Sequence, residues 1–261
     1  MHDTKHRGAM RRDWDERARK DAYFYIDTRE QHWDAPSFFE SGEADVRAFV
    51  DPVLQDLDFA PGGKTVLELG CGVGRMTRSF ARRFARVYAL DISPEMLVRG
   101  RALHPAENNI LWALGDGSGL SMFATGQVDF VFSYIVLHHM PTKGLALGYI
   151  REMLRVLKPG GVFLFHFNSG STPVMNWKGR LVWGVIDRLR DPVLGMGLEG
   201  VSRWLCRALG LDEFTAGQTW RGATLNVREV LEAAWAAQGA VINLSGWGTQ
   251  TTWCWGKKLS A

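Results

Sequence analysis

The amino-acid sequence predicts an α/β fold, doubly wound, with helices on both faces of a mostly parallel sheet. Three observations lead to this prediction. Short apolar runs recur between residues 62 and 167, stripes of helical period separate them, and a glycine-rich turn follows the first run. Such alternation is typical of β-α-β units, whose parallel strands are joined by crossover helices.

The N-terminal region is expected to form a tail followed by a helix that covers a site. Residues 1–12 are polar and basic without periodicity, which predicts a loose tail. In the stretch 13–27, Trp14 and Ala18 begin a four-residue spacing that runs into an aromatic cluster, so we expect a helix docked by its aromatic end. Residues 1–61 are therefore assigned to a tail and helical cover.

The apolar runs of residues 62–167 are the predicted strands of the core. They read VLEL, VYALDI, ILWAL, VDFVFSY and VFLFHF. Ser93 and Pro94 form an N-cap and first turn, which predict a helix to about Leu103. A later helical stripe is expected to stop at the KPGG segment, residues 158–161.

The pattern changes after the fifth strand. Residues 168–225 carry two amphipathic patterns, around Trp177 and Val201, which predict a helical insertion that serves as a substrate lid. Residues 226–261 predict a last helix and a β-hairpin that complete the core sheet.

Composition and charge are those of an ordinary folded protein. Hydrophobic residues make up 46% and charged residues 23%, and the formal net charge of +3 is too small to indicate a nucleic-acid partner. The three cysteines lack metal-ligand spacing, so we expect no metal and a reducing compartment. No apolar leader or long apolar span is visible, and we expect a cytoplasmic protein.

The turn after the first strand, GCGVG at residues 70–74, indicates the type of ligand. Glycines allow a ligand to approach the backbone and accept positive φ angles. Arg75 stands where a dinucleotide fingerprint needs its third glycine, and Glu68 would repel a pyrophosphate. S-adenosylmethionine (SAM) fits better, because it carries no phosphate and its ammonium group suits an acidic residue.

Two further acidic residues extend this predicted site. Asp91 ends the second strand about 20 residues beyond the turn, the separation at which an acid reaches ribose hydroxyls. Alternatively Asp91 caps the following helix, although Ser93 is the better-placed cap. Asp116, in GDGSGL, is expected either to accept a hydrogen bond from the adenine amine or to belong to an ordinary Asp-Gly turn.

These segments resemble class I SAM-dependent methyltransferases, in particular the small-molecule group that includes ubiquinone- and menaquinone-pathway enzymes. The matching segments are ELGCGVGR, ALDISPEML, GDGSGL, VDFVFSYIVLHHMP and LRVLKPGGVFLF, in the family's order and spacing. The resemblance implies a seven-stranded Rossmann-like sheet with an antiparallel last strand, and S-adenosylhomocysteine (SAH) as product. It implies a donor site formed by Glu68, Gly70, Cys71, Gly72, Gly74, Arg75, Asp91, Ile92, Met96, Asp116 and Gly117, with Ser133 near the sulfonium end.

Candidates for the acceptor side lie at the carboxyl edge of the sheet and in the N-terminal cover. Methyl transfer mainly needs an aligned nucleophile and exclusion of water. A phenol or enol acceptor would benefit from His138 or His139 as a base, whereas the alternative is that such histidines fix loop shape; His166 carries the same two interpretations. Three aromatic residues either bind substrate or anchor packing: Trp14, Tyr23 and Tyr25.

The predicted reaction is methyl transfer from SAM to an oxygen, nitrogen or carbon of a small metabolite. An apolar or ring-containing acceptor is favoured, because the insertion contains Trp177, Trp183, Trp204 and Trp220. No membrane span is expected, although the basic amphipathic stretch 177–190 is compatible with weak membrane-surface contact. Three alternatives stay open: a SAM-binding protein without turnover, a lipid-like or macromolecular acceptor, and an NAD-dependent dehydrogenase.

Overall fold

The computed structural model describes residues 2–170 and 222–260, with side chains described from residue 7 onward. These residues contain a seven-stranded sheet of order β3-β2-β1-β4-β5-β7-β6. The strands are β1 (Thr65–Leu69), β2 (Arg86–Asp91), β3 (Ile110–Leu114), β4 (Val128–Ser133), β5 (Leu157–Phe167), β6 (Gly239–Ser245) and β7 (Thr252–Lys258).

The pairing of the strands confirms the predicted fold class. Strands β1 to β5 pair in parallel, whereas β7 is antiparallel to both β5 and β6. The strand order reverses between β1 and β4, whose ends pair through Leu69 and Ser133. In open parallel sheets such a reversal opens a crevice at the carboxyl ends of the strands, where ligands bind.

Helices cover both faces of the sheet. They are α1 (His2–Ile26), α2 (Ala35–Asp45), α3 (Asp51–Asp56), α4 (Thr77–Arg83), α5 (Pro94–Leu103), α6 (Lys143–Val156) and α7 (Val227–Ala236). The predicted N-cap is present, because Ser93 Oγ accepts a hydrogen bond from Met96 N at 3.1 Å. Asn226 and Glu229 form a capping box that starts α7.

The sheet separates two buried apolar clusters. Alternate residues of a strand point to opposite faces, so Val66 and Phe130 pack on one side while Leu67 and Val131 pack on the other. A third cluster joins α1 to α2 around the fully buried Phe38. This third cluster fixes the N-terminal region against the core.

The prediction of a loose tail over residues 1–12 is wrong. Helix α1 begins at His2, and a non-helical residue, Asp21 (φ −165°, ψ 92°), interrupts it. The tail has tertiary partners that its polar sequence does not reveal. Met10 is buried, and Arg11 Nη2 donates to the carbonyl oxygen of Gly115 at 2.8 Å.

The predicted helix end at residues 158–161 also differs from the structure. Helix α6 ends at Val156, but KPGG forms the start of β5 and not a loop. Leu157 already pairs with Val128, and the register then shifts before regular pairing continues from Val162. Strand β5 therefore starts before the apolar run VFLFHF from which it was predicted.

The predicted helices of the insertion, around Trp177 and Val201, lie outside the described residues. Both ends of the insertion are tied to the core, because Leu225 N donates to Asn168 O at 2.8 Å and Ala223 N donates to Met140 O at 3.0 Å. The division into residues 1–61, 62–167, 168–225 and 226–261 stays a prediction. Over the described ranges, no helix has the length and apolar character needed to cross a membrane.

Candidate cofactor site

The glycine turn after β1 is held by the end of β2. Gly70 N and Cys71 N both donate to Leu90 O, at 2.7 and 3.0 Å, and Gly72 N donates to Asp91 Oδ2 at 2.9 Å. Gly70, Gly72 and Gly74 have φ angles of +77°, +56° and +90°, a region that strains other residues. The sequence therefore folds here into a turn whose backbone conformation strongly favours glycine.

The surroundings of the glycine turn leave no room for a side chain at Gly70 or Gly72. A Cβ atom on Gly70 would collide with Val136, and one on Gly72 would lie 2.6 Å from Ile26 Cδ1. Both glycines line one cleft, so a ligand can approach the backbone of the turn between these two side chains.

A cleft opens above the glycine turn, at the carboxyl ends of β1, β2 and β4. Helix α1 forms one wall and the segment after β4 forms the opposite wall. The lining residues are Met10, Trp14, Tyr25, Ile26, Leu69, Gly70, Gly72, Leu90, Asp91, Ile92, Met96, Gly115, Tyr134, Ile135, Val136, His139, Met140 and Tyr149.

Asp91 is the one carboxylate among these lining residues, and no lysine or arginine is among them. Its Oδ1 accepts from Ser93 N at 2.8 Å while Oδ2 accepts from Gly72 N. Burial raises the pKa of Asp91, and the backbone hydrogen bonds partly oppose this effect. The same side chain thus shapes the turn and presents an acceptor to the cleft.

Glu68 lies beneath the glycine turn and not on the cleft wall. Its side chain is buried, and Oε2 accepts from Thr77 Oγ1 at 2.5 Å. Burial raises the pKa of Glu68 to about 8. A cation bound above the turn would stabilise the ionised form of this carboxyl group.

The loop after β3 holds Asp116 and Gly117 at the edge of the cleft. Asp116 is exposed, and its Oδ1 accepts from Ser118 N and Ser118 Oγ at 2.8 and 2.6 Å. These hydrogen bonds lower the pKa of Asp116. Gly117 packs near the side chain of Arg7 in α1. Their neighbour Gly115 lines the cleft itself.

The structure divides the predicted donor residues into two groups. Gly70, Gly72, Asp91, Ile92 and Met96 line the cleft. The others lie behind the lining or at its edge, and they are Glu68, Cys71, Gly74, Arg75, Asp116, Gly117 and Ser133. The assignment of both groups to the donor site stays a prediction.

Arg75 has a distinct structural task at the end of the turn. It is buried, and its Nη1 lies 2.7 Å from Asp45 Oδ2 and 3.5 Å from Asp27 Oδ2. Arg29 bridges the same two carboxylates at 2.6 and 2.9 Å. We call Asp27, Arg29, Asp45 and Arg75 the arginine clasp. It ties the end of α1 and the end of α2 to the glycine turn.

Helix α1 covers the cleft from one end to the other. Arg11 binds Gly115 at the β3 end, Asp15 Oδ1 accepts from Ser93 Oγ at 2.5 Å near the middle, and Ile26 reaches Gly72 at the other end. Among the lining residues that α1 provides, sequence reasoning missed Met10 and Ile26. Met10 stands alone in a basic stretch, so no periodic signal marked it.

The predicted acceptor residues are only partly brought together. Trp14, Tyr25 and His139 line the cleft, with Trp14 and His139 in an edge-to-face contact at 5.2 Å. Tyr23 instead stacks on Phe38 at 4.3 Å within the third apolar cluster, away from the cleft lining. That contact corresponds to the packing alternative.

His138 and His166 lie behind the cleft wall, with ring centroids 5.4 Å apart. His166 is 1% exposed, and neither ring nitrogen has a hydrogen-bond partner among the described residues. Burial lowers the pKa of His138 to about 4 and that of His166 to about 3. Both imidazoles are therefore neutral at pH 7.

Comparison with known proteins connects this geometry to a protein family. Residues 67–165 match a family described as a methyltransferase domain, which confirms the resemblance inferred from the motifs. The chain is 32% identical to 2-methyl-6-phytyl-1,4-hydroquinone methyltransferase of Synechocystis, over 60% of this chain and 49% of that protein. It is 37% identical to ubiquinone biosynthesis O-methyltransferase of Xanthomonas oryzae pv. oryzae, over 46% and 48%. The chain thus spans about half the length of these curated relatives.

One solved structure is similar to this chain in fold. Magnesium protoporphyrin IX methyltransferase from Synechocystis, determined with bound SAH, superposes with a TM-score of 0.61. The match covers 97% of this chain and 99% of that one at 16% identity. At this level of identity the likeness concerns the fold alone.

The arginine clasp should contribute strongly to stability. Replacing Asp45 by Asn leaves Arg75 buried with a weakened partner, and we expect the free energy of unfolding to fall by about 3 kcal/mol. Urea denaturation would measure this loss. The matched control is Glu232→Gln in the exposed pair with Arg228, which should cost at most about 0.5 kcal/mol. Equal, small losses in both variants would contradict a structural role of the clasp.

The buried imidazole of His166 should make the fold sensitive to acid. The unfolded imidazole takes up a proton near pH 6.5, whereas the folded one stays neutral until about pH 3. Stability from this group is therefore present above pH 6.5 and declines as the pH falls. Between pH 6.5 and 5 the loss should be about 2 kcal/mol.

Urea denaturation at pH 7 and pH 5 would test this effect. His166→Phe keeps a ring but cannot take up a proton, so the acid-induced loss should shrink by about 2 kcal/mol relative to the unaltered chain. His32→Gln, at an exposed position, should leave the loss unchanged. An identical loss in H166F and the unaltered protein would show that His166 does not carry this pH dependence.

Proposed function

We propose that this chain transfers a methyl group from SAM to an oxygen, nitrogen or carbon of a small, apolar or ring-containing metabolite. The observation that carries the proposal is the glycine turn held by Asp91 under a cleft whose described lining has no cationic side chain. A dinucleotide or nucleotide phosphate would call for positive charge or further backbone donors there. SAM has no phosphate, and its ribose hydroxyls suit the carboxylate of Asp91.

The donor residues take the following roles in this proposal. Asp91 accepts hydrogen bonds from the ribose, and Gly70 and Gly72 let the methionine portion approach the backbone. Ile92 and Met96 provide apolar contact on the nucleoside side, with Asp116 and Gly117 at the adenine edge. Glu68 attracts the ammonium group from beneath the turn, Cys71 and Gly74 keep the turn's shape, and Ser133 lies toward the sulfonium end.

When bound, SAM supplies a methyl group on positively charged sulfur, which a nucleophile displaces in line. The protein's own contribution is alignment and exclusion of water. Helix α1 closes the cleft with the apolar or aromatic side chains of Met10, Trp14 and Tyr25, which supports a water-poor reaction space. In this proposal His139, which lines the same cleft, takes a proton from an acceptor hydroxyl.

Aromatic side chains and the scarcity of charge in the described lining favour an uncharged ring as the acceptor. The names of the relatives, a hydroquinone methyltransferase and a ubiquinone-pathway O-methyltransferase, support the same class of acceptor. We propose a cytoplasmic enzyme whose partner is a small molecule and not a nucleic acid.

Transfer of labelled methyl groups would test the reaction directly. With methyl-labelled SAM, we expect label in 2-methyl-1,4-hydroquinone and little or none in 2,5-dihydroxybenzoate. The second ring carries a carboxylate, which the described lining would leave without a cationic partner. Binding of SAM without transfer to either ring would favour a SAM-binding protein without turnover. Thermal stabilisation by NAD but not by SAM or SAH would favour a dehydrogenase.

Asp91 should be the main polar contact of the donor. Asp91→Ala is expected to weaken SAM binding by about 1–3 kcal/mol, because the hydrogen bonds to the ribose are lost. Isothermal titration calorimetry would measure the affinity, with Asp56→Ala as an exposed control at the end of α3. An unchanged affinity in D91A would refute the ribose contact.

A further inference from the structure

His104 is a buried imidazole that packs against the glycine turn. It is the C-cap of α5, and it is 4% exposed. Its ring lies between Phe39, in an edge-to-face contact at 4.9 Å, and Trp112, stacked at 5.7 Å. A slot between two aromatic rings suits an apolar side chain, so the polar ring of a histidine there calls for a specific partner.

The partner of His104 is a carbonyl group of the glycine turn. His104 Nε2 lies 3.0 Å from the carbonyl oxygen of Val73, a residue that is fully buried. A carbonyl group only accepts hydrogen bonds, so Nε2 is the donor and carries the proton of the ring. Burial lowers the pKa of His104, and the ring is therefore neutral at pH 7. Its Nδ1 has no hydrogen-bond partner among the described residues, which leaves the bond to Val73 as the one that this imidazole makes there.

This hydrogen bond holds the second half of the glycine turn. The end of β2 binds the N–H groups of residues 70–72, which form the first half. In the second half, the peptide group between Val73 and Gly74 donates its N–H to Cys71 O at 2.9 Å, and its carbonyl accepts from His104. Gly74 has a φ angle of +90° and tolerates many other values, so its own backbone does little to prevent rotation of this peptide group. The bond to His104 opposes that rotation.

The third glycine of the turn makes room for His104. Gly74 is not among the cleft-lining residues, and a Cβ atom on it would lie 2.6 Å from His104 Nε2 and 2.8 Å from Trp112 Cη2. Gly100 in α5 makes room for the neighbouring ring, because a Cβ atom there would lie 2.6 Å from Trp112 Cζ3. Two glycines from separate elements thus let the paired rings of His104 and Trp112 pack against the back of the turn.

We infer that His104 is a positioning residue for the methyl donor: it fixes the second half of the glycine turn and thereby sets the affinity for SAM without touching it. The inference rests on the proposed function, because it takes SAM as the ligand of the turn. Gly70 and Gly72 line the cleft, whereas His104 does not. A turn that had to be ordered on binding would bind the donor less tightly than one that is already held in shape.

Calorimetric titration with SAH, at a temperature where all variants are folded, would test this role. His104→Phe keeps an aromatic ring in the slot but removes the donor, and we expect SAH affinity to fall at least fivefold. His104→Gln keeps an N–H group at a similar reach and should retain the affinity within twofold. Asn109→Leu is the matched control, because Asn109 Nδ2 donates to Ala81 O at 2.8 Å and Phe84 O at 3.0 Å, at the end of α4 away from the turn. It should also bind SAH within twofold of the unaltered chain.

Hydrogen exchange of the His104 Nε2–H group, followed by nitrogen-15 NMR, would test the same coupling in the unaltered chain. Thermodynamic linkage requires that a ligand whose binding depends on this bond protects the bond by the same factor. Saturation with SAH should therefore slow the exchange at least fivefold. The side-chain amide of Asn109 is the internal control for general stabilisation, and its exchange should slow by a smaller factor.

Equal SAH binding by H104F and the unaltered chain would overturn the inference while leaving the proposed function intact. Equal losses in H104F and N109L would mark a general loss of packing, and equal losses in H104F and H104Q would show that the hydrogen bond does not matter; either result overturns the inference. Failure of the unaltered chain to bind SAH would refute the proposed function itself. If H104F does not fold, the exchange measurement decides, and an exchange rate of His104 that SAH leaves unchanged would overturn the inference.

Discussion

The hydrogen bonds between the end of β2 and the glycine turn after β1 are the constraint on which the rest of the site depends. Leu90 O receives two backbone N–H groups, and Asp91 receives a third from Gly72. These bonds fix a turn whose positive φ angles favour glycine, and they orient the one carboxylate of the described lining. The end of β2 thereby determines both the conformation of the glycine turn and the position of the carboxylate of Asp91.

A second set of interactions, the arginine clasp, connects the glycine turn to the N-terminal region. Arg75 directly follows the turn, and its buried ion pairs reach Asp27 after α1 and Asp45 at the end of α2. Buried charges are costly unless they are paired, so this arrangement has few alternatives. These ion pairs therefore hold the N-terminal region against the glycine turn, while the apolar side chains of α1 close the cleft.

Most of the sheet could be predicted from the sequence, because buried strands, glycine turns and helix caps leave local signals. The five parallel strands, Ser93 as a cap and the final hairpin all correspond to such signals. The first half of α1 could not be predicted, since its stability depends on tertiary partners such as the carbonyl of Gly115. Ile135, whose φ angle is +56°, gave no signal either, because the identity of a residue does not reveal its φ angle. Tyr23 shows the converse, where an aromatic residue near the site packs on Phe38 instead.

The two ends of the insertion, residues 168–225, lie close together. Asn168 and Leu225 are joined by a backbone hydrogen bond, and Ala223 is bonded to Met140 beside the cleft. A segment whose ends are held together adds only the slowly growing entropy of a closed loop, however long it becomes. Evolution could therefore exchange this whole segment for another without rebuilding the donor site.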